Sequence, residues 1–410
     1  MSAFASSPEG GFDASGHITG KSGVTGGTFV FKEVGVRAAR LRGYWESDPG
    51  NVELACELVD ELLAEGQVDE AELVLESAVK SAGLSEAMRF RQCRIALLRG
   101  DYAVAEHHLQ ELLQGGQDGL SLRHDLAFAQ LCQRRPQQAL ETLLPTRGHW
   151  AAVPELGVLH ARVLLMCEDY DGAVEALDVV LATHPQAASA MGVKALALLD
   201  GDRLLEARVA ADACLALYPE QHEALLVSGT LSLWRQDTAA ASAAYRATLQ
   251  RHPNSGRVLS GYGQVLMSQN RVDDARPVFE AAVKAMPDHI GTWHALAWAQ
   301  LLQGDQLAAE ASYHAAYDLD RNFGDTHGGL ALIAALRGDE AKAEQEIKRA
   351  LRLDPNAMTA RYAEALIRES RGDQEGSNAI IADIVHAAGS RMQASEFARR
   401  LKTLLNAHTA

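Results

Sequence analysis

From about residue 50 onward, apolar side chains recur every three to four positions over stretches about a dozen residues long, separated by short polar breaks. The segments NSGRVLSGYGQVLMSQNRVDDARPVFEAAVKAMPD, HIGTWHALAWAQLLQGDQLAAEASYHAAYDLDRN and FGDTHGGLALIAALRGDEAKAEQEIKRALRLDPN each hold two such stretches around one break. That pattern predicts a helix, turn, helix unit. The units keep register: Pro185, Pro219, Pro253 and Pro287 lie 34 residues apart, and the next two steps land on Arg321 and Pro355. Upstream, Ala173, Ala207, Ala241, Ala275, Ala309 and Ala343 repeat the interval. The proline closes each second helix, because it disfavours helical backbone in the residue before it. One unit cannot bury its apolar face alone, whereas stacked units share a continuous core.

Small residues fall where two helices must approach, as Gly229, Gly263, Ala297 and Ala331 do, and Leu296, Leu330, Tyr245, Phe279 and Tyr313 are sized to fill the remaining gap. Earlier copies hold the phase with Leu58, Gly66, Ala71, Leu75 and Ala78, then Gly100, Ala105 and Leu109. A third places Arg134 at the turn and Ala139 at the close contact. LPTRGHWAAVP departs from the pattern, with Pro145 and Gly148 remaking the helix end, and a bend is expected there. The last unit puts Ser377 at the alanine site, and ASEFARRLKTLLNA reads as a terminal helix that covers it.

Trp293, Leu296, Ala297, the turn Gly304-Asp305, Ala309, Tyr313 and Ala316 together resemble the tetratricopeptide repeat, and the resemblance runs from about 50 to 386. It implies an all-α, right-handed superhelical solenoid of about ten helix-turn-helix repeats. The expected division is a Gly/Ser-rich arm over 1–33, in which TFVFKEV has the composition of a short strand, and a leading helix over 34–49. The repeat array over 50–388 and a capping helix over 389–410 follow. The resemblance further implies a non-enzymatic scaffold, adaptor or chaperone that holds a protein or peptide segment in a concave groove lined by the first helices. Alanine-rich acidic repeats resemble bacterial members, and assembly of a secretion or surface-appendage system is one setting this suggests. The alternative is a targeting or regulatory subunit of a separate enzyme, with the arm docking or lying in the groove until a partner displaces it.

By the same resemblance the groove positions are Phe90, Arg94, Phe128, Arg162, Met166, Leu226, Thr230, Trp234, Gln264, His294 and Trp298, with His124, Leu131, Leu233, Leu301 and Leu332 beside them. Such a lining suits a segment that inserts hydrophobic anchors. The leucines equally suit packing between neighbouring first helices. The basic and amide set with which some family members clamp a C-terminal carboxylate is absent from any three consecutive repeats.

Composition and charge narrow the classes. Few aromatics, 22% charged residues and 11 prolines suit a helix-rich chain. GHITGKSG ends like a phosphate-binding loop, but Ser15 stands where the motif needs glycine, and neither a buried strand nor a helix opening flanks it. Cys56, Cys93, Cys132, Cys167 and Cys214 are scattered singly, and the fifteen histidines do not cluster, so no metal, cofactor or catalytic residue is expected. His184 and His252 precede prolines at helix ends, where they cap. The net charge of −16 leads to the expectation of no nucleic-acid partner and of attraction for a basic segment. No run of about 18 apolar residues occurs, so no membrane insertion is expected, and without a basic, apolar leader the chain is expected in the cytoplasm. The oligomeric state is left open.

Overall fold

The computed structural model of the protein describes residues 30–387, which fall into two compact units divided after Gly201. The arm expected over the first residues and the capping helix expected beyond residue 388 lie outside the described residues. In the N-terminal unit the helices are α1 (Val30–Ser47), α2 (Val52–Ala64), α3 (Val68–Ala82), α4 (Glu86–Arg99), α5 (Tyr102–Gln114), α6 (Leu120–Cys132), α7 (Pro136–Leu143), α8 (Pro154–Met166), α9 (Tyr170–Thr183) and α10 (Ala188–Asp200). The C-terminal unit holds α11 (Leu204–Leu217), α12 (His222–Trp234), α13 (Thr238–Arg251), α14 (Gly256–Ser268), α15 (Val272–Ala285) and α16 (Ile290–Leu302). It continues with α17 (Gln306–Leu319), α18 (Gly324–Leu336), α19 (Glu340–Leu353), α20 (Met358–Ser370) and α21 (Gln374–Ala387). The fold is an α-solenoid of helical repeats, and no strand occurs among the described residues. VFKEV, which has strand composition, is the first turn of α1.

The 34-residue period has a backbone cause. At the turn between the two helices of every repeat one residue takes positive φ: Gly66, Gly100, Arg134, Glu168, Asp202, Gln236, Asn270, Gly304, Gly338 and Gly372. This left-handed residue ends the first helix, and its successor opens the second. Where that successor is Asp169, Asp237, Asp305 or Asp339, its carboxylate accepts the backbone N–H three residues on, at 2.9 to 3.1 Å. The departure at LPTRGHWAAVP is a 3-10 helix over Leu144–His149 that seats Trp150 in the core. The period survives it, since α8 begins 34 residues after α6.

Packing follows the small and large pattern. A Cβ on Gly229 or Gly261 would sit 2.6 Å from the Tyr245 ring, and one on Gly263 2.5 Å from Phe279. Bare backbone is therefore what lets these rings lie fully buried between helices. The recurring alanines, Ala173, Ala207, Ala241, Ala275, Ala309 and Ala343, are all at 0% exposure. Within each unit neighbouring first helices also touch, α2 with α4, α6 with α8 and α8 with α10, then α12 with α14, α14 with α16 and α18 with α20. The first helices thus form a layer of their own, and α1 packs on the first repeat through Ala38 and Leu41.

Candidate functional site

On the first helices one register position recurs every 34 residues, buried at Leu196 and Leu332 and half-buried elsewhere. Its half-buried members are Asp60, Arg94, Phe128 and Arg162 in the N-terminal unit and Thr230, Gln264, Trp298 and Leu366 in the C-terminal unit. The chemistry of the half-buried members varies from repeat to repeat.

In the N-terminal unit Asp60 is the hub of an ion-pair cluster. Arg94 Nη1 donates to its Oδ1 at 3.0 Å, Arg91 donates to its other oxygen, and Arg91 Nε reaches the Cys56 carbonyl at 3.0 Å. Arg94 is therefore tied to the preceding repeat and still has a partly open guanidinium. Phe90 packs against the core beside Leu97 and Tyr102 and keeps a partly open ring. Phe128 meets the Tyr102 ring edge-on at 6.1 Å. His124 pairs with the adjacent Asp125 at 3.0 Å, Leu131 is fully buried, and Arg162 and Met166 are half-buried on α8.

In the C-terminal unit the sequence-based list needs correction at Leu226, which is 3% exposed. Helix α12 is packed by α11, α13 and α14 at once, so Leu226 closes the space between helices and has no face to offer a ligand. Leu301 and Leu332 are buried for the same kind of reason. Thr230 donates to the Leu226 carbonyl at 2.9 Å and lies 3.1 Å from the Tyr245 phenol, so its hydroxyl also serves the fold. Trp234, at the end of α12, is 39% exposed, and Gln264 is half-buried. Trp298 leans on the core around Tyr313 and Leu330.

His294 Nε2 is 2.8 Å from Thr326 Oγ1 on α18, and its ring stands 5.5 Å from Tyr313 and 5.4 Å from Phe323. Burial pulls its pKa down to about 4, so the ring is neutral at neutral pH. Asp325, next in sequence to Thr326, is a residue the sequence reading passed over. Burial, and after it the Asp354 carboxylate, holds its carboxyl above the ordinary range. An Asp at a position filled by Gly291 and Thr359 in the flanking repeats was the signal available.

Burial also pushes the Cys93 thiol up to about 12 and those of Cys132 and Cys214 to about 11, which makes them poor nucleophiles. Among the described residues no three His, Cys, Asp or Glu side chains stand close enough to hold a metal ion. No helix among them is long and apolar enough to cross a membrane.

The family model of the tetratricopeptide repeat matches residues 56–119, 158–222 and 229–290. The chain is a tetratricopeptide repeat protein. Repeats of this family imply a protein-interaction scaffold. No curated protein matches the chain. Among solved structures, this repeat protein is similar to a monomeric IFIT1 mutant with m7Gppp-AAAA, at TM-score 0.54 and 14% identity over 91% of this chain and 95% of that one. It is likewise similar to the human IFIT1 dimer with m7Gppp-AAAA, at 0.53 and 14% over 91% and 94%. PilF of Pseudomonas aeruginosa matches at 0.45 and 15%, over 54% of this chain and 99% of that one.

The IFIT1 likeness overturns one expectation. Nucleic acid was excluded from the net charge, yet proteins with this fold over nine-tenths of the chain are solved with capped RNA. Net charge sums over all residues, whereas a ligand meets only the side chains at its site, so −16 does not exclude RNA from a tetratricopeptide array.

Proposed function

We propose that the protein is a non-enzymatic scaffold, in the role of adaptor or chaperone, that holds an extended or helical segment of a partner protein along the first-helix layer. The observation that carries this reading is the set of half-buried side chains at one first-helix register, Arg94, Phe128 and Arg162 in one unit and Thr230, Gln264 and Trp298 in the other, with buried Leu196 and Leu332 at the same register. Side chains that stay partly open at a fixed spacing, next to fully buried neighbours, offer a repeated set of contacts without loosening the core. Trp234 and Phe90 add aromatic surface, which contributes most to segment binding when it is covered. The setting in bacterial secretion or surface-appendage assembly belongs to the proposal and rests on the resemblance alone.

The test is capture of partners from native lysate by the intact chain and by a Trp234→Ala, Gln264→Ala variant. Circular dichroism confirms the fold, and cross-linking maps the captured segment. Loss of one protein from the folded variant, with its cross-links on first helices, supports the reading. Capture of RNA in place of protein, or a protein set indifferent to the variant, overturns it.

A further inference from the structure

In the N-terminal unit Asp60 on α2 is shared by two arginines of α4, and the two are held differently. Arg91 is used up. Its Nε donates to the Cys56 carbonyl at 3.0 Å, its Nη1 to the Ala87 carbonyl at 2.9 Å and its Nη2 to Asp60, and the side chain is 17% exposed. Arg94 gives only Nη1, to Asp60 Oδ1 at 3.0 Å, and its side chain is 40% exposed. Among the described residues nothing reaches its Nε or Nη2. Two guanidinium groups therefore answer one carboxylate, which leaves one formal positive charge in excess. Glu57, one turn before Asp60 on α2, is exposed and pairs with neither arginine.

The open guanidinium stands between apolar side chains. Phe90 lies one turn before it on α4 with a partly open ring, and Leu98, one turn after it, is exposed, so the three share one face at steps of about 6 Å. Phe90 and Tyr102 pack against the same core, and Tyr102 meets Phe128 of α6 edge-on at 6.1 Å, which extends the aromatic surface to the next first helix. The free Nε and Nη2 form one side of the planar guanidinium, and their N–H bonds run parallel, the arrangement that fits both oxygens of a carboxylate. Asp60 already fixes the other side, so less side-chain entropy is lost when a second anion meets it.

From this arrangement we infer that the N-terminal unit selects an acidic side chain, aspartate or glutamate, with apolar neighbours in the partner's segment, and binds its carboxylate at Arg94 between Phe90 and Leu98. The inference rests on the segment-binding reading above and names the chemistry that one subsite takes. It runs against the overall charge of −16, because a ligand meets the side chains at its site. An extended segment rises about 3.3 Å per residue, so the acid stands two residues from each apolar neighbour.

The experiment uses the full chain, isotope-labelled, with the Arg94 Nε–H and the backbone amides of α4 followed by NMR. The blocked peptide acetyl-Leu-Ala-Glu-Ala-Leu-amide is titrated beside its isostere with Gln at the centre and its counterpart with Lys there. Expected is a saturable shift with the Glu peptide, binding of the Gln peptide weaker by about threefold or more, and the Lys peptide weaker still. Added salt shrinks the difference. R94Q removes the charge and brings the Glu peptide down to the affinity that the parent shows for the Gln peptide. R94M takes its place if circular dichroism finds R94Q unfolded. R208Q, at an exposed arginine of α11, leaves binding unchanged. No shift with the Glu peptide, equal or tighter binding of the Gln or Lys peptide, or a folded Arg94 variant that binds the Glu peptide as the parent does overturns the inference. Each of these results leaves partner capture through Trp234, in the other unit, to its own test, so the two readings fail separately.

Discussion

Tyr245 and Tyr313 occupy the same register two repeats apart, each about 1% exposed with its ring between a first and a second helix, yet their hydroxyls differ. The Tyr245 oxygen lies 3.1 Å from Thr230 Oγ1, and among the described residues no partner reaches the Tyr313 oxygen. Replacing each by phenylalanine keeps the ring and removes one oxygen. For Tyr245 the loss is one net hydrogen bond, about 0.5–1.5 kcal/mol, and Thr230 retains its bond to the Leu226 carbonyl, so little further penalty follows. For Tyr313 the substitution removes a buried unsatisfied group whose desolvation costs about 1–3 kcal/mol, so Tyr313→Phe stabilises its repeat by about 1 kcal/mol. The two variants should separate by roughly 2 kcal/mol in opposite directions. Because a repeat array need not unfold as one unit, the assay is native-state hydrogen exchange read separately on α13 and α17, backed by urea midpoints. The reasoning fails if Tyr313→Phe loses as much stability as Tyr245→Phe, which would mean that the phenol is paired by water or a bound group. A Thr230→Val, Tyr245→Phe double-mutant cycle should return a coupling of about 0.5–1.5 kcal/mol.

The turn residues give a second test: Gln236 holds φ 62° and Gly338 φ 77° at equivalent positions. A left-handed L-residue costs about 1–2 kcal/mol, partly offset by the roughly 0.5–1 kcal/mol entropy cost of glycine. Gln236→Gly should therefore raise the urea midpoint by about 0.5–1 kcal/mol equivalent, and Gly338→Ala should lower it by about 1–2. In acid, His160 and His294, both pulled down to about 4 by burial from an ordinary 6.5, lose their favourable neutral state on unfolding. Their contribution is complete above pH 6.5 and disappears as pH falls toward 4, and a His294→Gln variant should show a shallower decline of melting temperature over that window. Leu226→Ala should cost about 2–5 kcal/mol, whereas Trp234→Ala should change stability by less than about 0.5 while altering partner capture.

The fold was legible because the sequence carries its constraints at fixed spacing. The 34-residue alanines mark where helices touch, and the glycines opposite Tyr245, Phe279 and Tyr313 mark where rings need bare backbone. The turn was only half legible. Gly304 and Gly338 announce a left-handed residue, but Gln236, Asn270 and Glu168 adopt the same conformation because the helices on both sides impose it. The site was less legible still. Leu226 and Trp298 are both large apolar residues on first helices, and their burial depends on which neighbours a given helix has, which periodicity does not encode. Asp325 was missed because a lone aspartate at a helix start reads as an ordinary favourable dipole contact, and only the third dimension buries it and sets the Asp354 carboxylate close enough to raise its pKa.

These observations locate where such a chain carries information about its partner. Stacking commits the same positions in every repeat, so the close-contact site is alanine in each repeat but the last, where Ser377 stands, and any bulkier residue there would push helices apart. Residues at those positions can say nothing about a ligand. The half-buried first-helix positions, Asp60, Arg94, Phe128 and Arg162 in one unit and Thr230, Gln264 and Trp298 in the other, vary in charge, size and hydrogen bonding, whereas Leu196 and Leu332 at the same register are buried. Part of that freedom is used internally, since Arg94 answers Asp60 and Thr230 answers Tyr245. What remains after those internal bonds is the open surface of Phe90, Phe128, Trp234 and Gln264. A segment with apolar anchors covers such surface, whereas a wholly polar segment leaves it open.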